Sequence, residues 1–307
     1  MRLHYIVQNA AAKATAHDIK KYEDVWTSAR QPSEGRDKMS IDNELEDIRT
    51  ACKDKKRDIK AGRDRVTSSN KLFLLEKFVF WIRAGGLGRY GRTGKVCQST
   101  STNVDLLFEE ATVLIDDFCN FLESHIDIGE VCPGPVKRPD RAFQKAARKY
   151  YYDPRHLTDL VRCCILLESI TDAKRVLDLI FKMSSVFGEE APGDAEENET
   201  PNEYQEALLG RSRDSNQEPK VFKLCKVKDD FTREGLGYRY ICLNLEVGWT
   251  IESESGVGLK FVTVKDFDQK HVRMHICEVQ LLLRSTYELE IGGCHDNFVK
   301  ARNMLVQ

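Results

Sequence analysis

A strand-like run near the C-terminus carries a single carboxylate among apolar neighbours, and this run constrains the fold more than any other feature. In residues 271–282, Glu278 stands between Cys277 and Val279. Burying an ionised carboxylate without a partner is costly, so we expect a cation or a strong hydrogen-bond donor beside Glu278. Simple strand alternation offers a second interpretation, in which the carboxylate faces solvent.

The hydrophobic periodicity of the whole chain predicts an α+β fold. Residues 1 to about 70 carry dense mixed charge at helical spacing. Residues 1–100 are therefore predicted to form an N-terminal helical region of unknown role. Residues 101–307 predict a domain with a mixed β-sheet of about five strands flanked by helices. Asn103 is expected to cap the first of these helices. The predicted strands cover residues 162–167, 221–227, 238–247 and 271–282, with a hairpin around 256–258.

An acidic segment interrupts this domain. Residues 188–218 are rich in Pro, Gly, Asn and Glu and are almost free of large apolar side chains before Leu208. Such a composition cannot bury enough apolar surface to fold, so it predicts a flexible insertion.

Composition excludes several classes of protein. The formal net charge of −2 provides no global field for nucleic acid or membrane surfaces, so any basic site must be local. No apolar run approaches the roughly 18 residues of a membrane span, and no signal-peptide pattern follows the first residues. The ten cysteines include no C-x-x-C pair, which indicates reduced thiols. We therefore expect a cytoplasmic protein.

Carboxylates at strand ends and a basic helix together indicate phosphate chemistry. Asp159 comes just before one predicted strand, and Glu278 lies on the last one. Two carboxylates on neighbouring strands would bind a hard cation through oxygen, which suits Mg²⁺ on nucleotide phosphates. Lys137, Arg141 and Lys145 lie just upstream of Asp159, and the last two share a helix face at a step of four residues.

Short motifs then follow one another in a recognisable order. They are Lys149-Tyr150 at the end of the basic helix, Leu157–Arg162, Lys228-Asp229, Gly237-Tyr238-Arg239 and Glu278-Val279-Gln280. Their order and spacing resemble the synthetase domain of the RelA/SpoT family, most closely its small stand-alone and toxin-like members. That family transfers pyrophosphate from ATP to the 3′-hydroxyl of a guanosine nucleotide.

The resemblance implies a role for each matching residue. Asp159 and Glu278 would coordinate Mg²⁺, and Glu278 would also be the catalytic base for the acceptor hydroxyl. Basic side chains would bind the nucleotide phosphates, namely Lys137, Arg141, Lys145 and Arg162. The acceptor, GDP or GTP, would be bound by Tyr238, Arg239, Gln280 and His295.

Alternatives to this function stay open. Cys242 stands where the family motif has a histidine that helps to define the acceptor site. A catalytically silent nucleotide-binding regulator is therefore a second hypothesis, and a toxin-like enzyme that pyrophosphorylates the 3′ end of tRNA is a third. A homo-oligomer is also left open. Only His4 and His17 precede His125, too few for the metal site of the family's hydrolase, so no hydrolase domain is predicted.

Individual residues also have structural interpretations. Asp159 would simply form an ion pair with Arg162, as many acids near a surface do. Tyr238 would pack in the core, as aromatic side chains at strand starts usually do.

Overall fold

The fold is α+β, as the sequence predicts. The computed structural model describes residues 17–32, 37–72, 96–98, 103–186, 220–232, 239–251, 259–267, 269 and 271–294. Within these ranges one mixed sheet of seven strands is flanked by helices, and the N-terminal region is helical. The acidic insertion at 188–218 and the hairpin turn around 256–258 lie outside the described residues.

Six helices and seven strands make up the described part of the chain. The helices are α1 (residues 17–29), α2 (Lys38–Leu72), α3 (Val104–His125), α4 (Pro139–Tyr150), α5 (Ile170–Lys182) and α6 (Arg284–Leu289). The strands are β1 (Glu130–Pro133), β2 (Arg162–Leu167), β3 (Ser184–Val186), β4 (Phe222–Asp229), β5 (Ile241–Ile251), β6 (Leu259–Val262) and β7 (Arg273–Leu283). Single helical turns are formed by Pro154–His156, Val264–Asp266 and Glu290–Cys294.

The strands lie in the order β1-β2-β7-β5-β4-β3, and β6 pairs with the end of β5. The pairs β2/β7 and β3/β4 are parallel, and the other pairs are antiparallel. The sheet exceeds the predicted size because β1 and β3 have only four and three residues. Strands this short are too brief for alternation to reveal them in a sequence.

Helix α3 begins where the sequence predicts. The Asn103 side-chain oxygen accepts hydrogen bonds from the backbone N–H groups of Asp105 and Leu106, at 3.0 and 3.3 Å. This cap satisfies two of the N–H groups that every helix start leaves unpaired. The apolar side of the helix is buried along its length at Leu107, Ala111, Leu114, Phe118 and Leu122.

The N-terminal helices pack into the same core as the sheet. Trp26 of α1 meets the ring of Phe231 edge-on, with ring centroids 5.0 Å apart. Ile48 of α2 is fully buried in one cluster with sheet residues such as Leu243. No helix among the described residues is both long and apolar enough to cross a bilayer. Free thiols, as predicted, are found at Cys52, Cys97, Cys119, Cys132, Cys163, Cys164, Cys225, Cys242 and Cys277.

Candidate active site

One face of the sheet is polar. In β7, Glu278 lies directly opposite Arg162 of β2 on one side and Asn244 of β5 on the other. Residues that are directly opposite in paired strands share a face, so their side chains form a row across three strands. Applying the same register to the neighbouring positions shows that this face, called the polar face below, carries Arg162, Cys164, Lys226, Lys228, Cys242, Asn244, Glu246, Glu278 and Gln280. The opposite face belongs to the apolar core.

Asp159 lies in the loop before β2 and is held by two lysines. Lys137 donates a hydrogen bond to its Oδ2 atom, and the Lys145 Nζ atom lies 2.8 Å from the same oxygen. The alternative ion pair with Arg162 is wrong, because that guanidinium donates to the Pro135 carbonyl at 3.2 Å. The structure therefore brings together three of the predicted site residues.

Burial and ion pairing oppose each other in this cluster. Burial lowers the pKa of Lys137 below its ordinary value, and the attraction of Asp159 does not restore it. Burial also disfavours the charged form of Lys145, but Asp159 and, more weakly, Glu278 raise its pKa above the usual value. Burial alone would raise the pKa of Asp159, yet Lys145 and Lys137 together hold it below its ordinary value. Asp159 is therefore ionised at neutral pH.

Glu278 has the strong donor that its position requires. Gln280, two residues further along β7, donates from Nε2 to the Glu278 Oε1 atom at 2.7 Å. The Glu278 backbone N–H donates to the Val161 carbonyl at 2.9 Å, which joins β7 to the loop that carries Asp159. The side chain is half-buried rather than fully exposed. The charge of Glu278 also makes a small contribution to the raised pKa of Lys145.

Other predicted site residues lie elsewhere or outside the described residues. Arg141 is exposed on α4. Arg239 is buried against α1, where its guanidinium lies 4.6 Å from the ring centroid of Trp26 and 3.3 Å from the Glu23 carboxylate. Tyr238 and His295 fall outside the described residues.

Sequence reasoning assigned no role to Asn244 and Lys228, two further residues of the polar face. The Asn244 side chain donates to the Thr158 carbonyl at 3.1 Å. Lys228 donates to the Tyr240 hydroxyl at 3.0 Å and forms an ion pair with Asp230. A signal for Asn244 was present, since the polar side chains at 244 and 246 alternate with apolar ones in this strand.

The carboxylates of this site fit a hard cation. Within the described ranges no group of three or more His, Cys, Asp or Glu side chains could hold a metal ion by itself. Asp159, however, has a buried Oδ1 atom without a hydrogen-bond partner among the described residues. An unpartnered carboxylate oxygen is the ligand that Mg²⁺ prefers, with substrate phosphates and water completing its coordination.

The fold and the site together define a class of protein. It is an α+β domain with a mixed sheet in which Glu278 lies on a central strand, while helix α4 and the loop before β2 bring Lys145 and Asp159 together. No protein-family model matches the sequence, and no curated protein matches it.

Solved structures to which the chain is similar include two small alarmone synthetases and one protein of the GTP pyrophosphokinase family. Small alarmone synthetase 1 from Bacillus subtilis has 13% identity and a TM-score of 0.37, over 65% of this chain and 85% of that one. Small alarmone synthetase 2 from the same organism has 16% identity and a TM-score of 0.38, over 64% of this chain and 79% of that one. A GTP pyrophosphokinase family protein from Streptococcus pneumoniae has 14% identity and a TM-score of 0.35, over 66% of this chain and 85% of that one. At these identities and TM-scores, the likeness carries neither an activity nor a substrate over to this chain.

Proposed function

We propose that this chain is a magnesium-dependent transferase of the RelA/SpoT synthetase type. It would move pyrophosphate from ATP to the 3′-hydroxyl of a guanosine nucleotide, GDP or GTP. The arrangement around Lys145 carries this proposal, because this cation is paired with Asp159 and is also influenced by the charge of Glu278. A phosphate-binding cation and a proton acceptor would thus act on the same substrates.

The reaction assigns a distinct task to each group. The acceptor 3′-hydroxyl oxygen attacks the β-phosphorus of ATP, the bond from that phosphorus to the oxygen of the α-phosphate breaks, and AMP leaves. Glu278 takes the hydroxyl proton, and the hydrogen bond from Gln280 orients its carboxylate. Lys137 and Lys145 stabilise the negative charge of the transferred phosphates, and the exposed Arg141 adds to this field.

Mg²⁺ would be held by Asp159, through its unpartnered Oδ1 atom, and by Glu278. When bound, the ion neutralises charge on the transferred phosphates. Both lysines contact the other carboxylate oxygen of Asp159, Oδ2. They therefore keep Asp159 ionised and leave Oδ1 free of either ion pair.

One observation favours a catalytically silent nucleotide-binding module instead. Cys242 occupies the position of the family's acceptor-site histidine, and it is buried at 5% exposure. Burial, followed by the charge of Glu278, raises the pKa of its thiol. A neutral thiol donates only a weak hydrogen bond, so it cannot replace an imidazole.

A transfer assay decides between these functions. The purified protein is incubated with Mg²⁺, γ-labelled ATP and, in separate reactions, GDP, GTP or bulk tRNA. We expect label on GDP or GTP, and in Glu278→Gln a rate at least about 100-fold lower, because the catalytic base is lost. Glu130→Gln, which removes an exposed carboxylate on β1, serves as the matched control and should retain transfer. Intact ATP binding without transfer to any acceptor would support the silent module, and label on tRNA alone would identify the toxin-like reaction.

A further inference from the structure

Asn244 occupies a central place on the polar face. It lies on β5 directly opposite Glu278 of β7, so the two side chains share a face. Its exposure is only 1%, and its neighbours Leu243 and Leu245 are buried in the core. A buried amide at this position needs a physical explanation, because an apolar side chain would need no hydrogen-bond partners.

The Asn244 amide binds the loop that carries Asp159. Its Nδ2 atom donates to the carbonyl of Thr158 at 3.1 Å. In the sheet, β7 separates β5 from β2, the strand that this loop precedes. The backbone at Thr158 therefore reaches across β7 toward β5 before the chain enters β2.

The orientation of this amide follows from its partner. A carbonyl oxygen can only accept hydrogen bonds, so the NH₂ group of Asn244 must face Thr158. The Asn244 Oδ1 atom is then buried, and it has no hydrogen-bond partner among the described residues. An unsatisfied buried acceptor lowers the stability of a fold, so stability alone does not favour this residue.

We propose that Asn244 is a positioning residue that fixes the loop carrying Asp159 relative to the strands that carry the polar face; this inference rests on the function proposed above. Asp159 lies between two backbone carbonyls that are both held in place. The Thr158 carbonyl accepts from Asn244, and the Leu160 carbonyl accepts from the Lys137 N–H at 3.4 Å. Without the first bond the peptide directly before Asp159 loses its hydrogen bond to β5, so the position of this carboxylate relative to the sheet is less well fixed.

The test is Asn244→Leu in the full chain, because leucine has a similar size and no hydrogen-bonding group. We expect kcat to fall about 10- to 100-fold, as small misplacements in an active site do. The KM for ATP should stay within about twofold, because Lys137 and Lys145 remain to bind phosphate. A merely structural role would lower the amount of folded enzyme without this combination of a reduced kcat and an unchanged KM.

Ser184→Ala is the matched control, since it removes a buried hydrogen bond from a side chain to the Ile180 carbonyl at the far edge of the sheet. It should leave kcat unchanged. Hydrogen exchange of the peptide 157–162 is measured in parallel and does not require activity. We expect exchange to be about fivefold faster in Asn244→Leu, the equivalent of about 1 kcal/mol for one hydrogen bond. The exchange rate of this peptide should not change in the control.

Three outcomes would overturn the positioning role of Asn244. They are a wild-type kcat in Asn244→Leu, an equal loss in Ser184→Ala, and unchanged exchange of residues 157–162. If the wild-type protein transfers no label, the proposed function fails. The exchange measurement then decides alone whether Asn244 fixes the loop.

Discussion

Asp159 is a buried acid whose pairing with two lysines should be measurable as stability. Removing one partner of a buried ion pair leaves charge uncompensated, which typically costs 3–5 kcal/mol. We expect Asp159→Asn to lower the free energy of unfolding by about 3 kcal/mol at pH 7, because Lys137 and Lys145 lose their shared carboxylate. Urea denaturation measures this change.

Asp140 provides the matched control. It pairs with Arg138, but both side chains are largely exposed, so Asp140→Asn should cost less than about 1 kcal/mol. The pKa of Asp159 is lowered in the folded state, so its contribution is complete above the unfolded value of about 4. It is lost as the pH falls through the folded value. The difference between wild type and Asp159→Asn should therefore shrink in acid, and a constant difference would contradict the assignment.

At the scale of elements, Arg239 joins α1 to the segment that leads into β5. Its guanidinium lies over Trp26 and contacts Glu23, and the side chain is only 5% exposed. We expect Arg239→Ala to lower the free energy of unfolding by about 2 kcal/mol, because a buried cation–π contact and an ion pair are lost together. Urea denaturation and limited proteolysis within residues 17–29 measure this.

Arg273 offers a control of the same kind. Its guanidinium lies 5.4 Å from the ring centroid of Trp249, but the residue is exposed, so Arg273→Ala should cost less than about 1 kcal/mol. If Arg239→Ala keeps full stability but raises the KM for the acceptor, Arg239 serves the acceptor pocket that the sequence motif predicts.

The local sequence pattern predicted the strands better than it predicted which side chains contact one another. The bounds of β2 match the predicted strand because six consecutive positions are compatible with burial. The pairing of Asp159 with Lys137 and Lys145 was not predictable, since it depends on how α4 packs against the loop. The contact between Arg239 and Glu23 spans 216 residues, and no local periodicity can indicate it. Asn244 was detectable as one of the alternating polar positions of β5, but its bond to Thr158 was not.

At the scale of the whole molecule, the N-terminal helices and the sheet should unfold together. Ile48 of α2 is fully buried in the cluster that contains Leu243 of β5. We expect Ile48→Ala to lower the free energy of unfolding by about 2–5 kcal/mol through cavity formation. Met39→Ala, at an exposed position of the same helix, should change it by less than about 0.5 kcal/mol. Far-UV circular dichroism and tryptophan fluorescence should follow one urea transition. A shared core couples the unfolding of its parts, so one transition is expected. Two separated transitions would show that the sheet stays folded without α2.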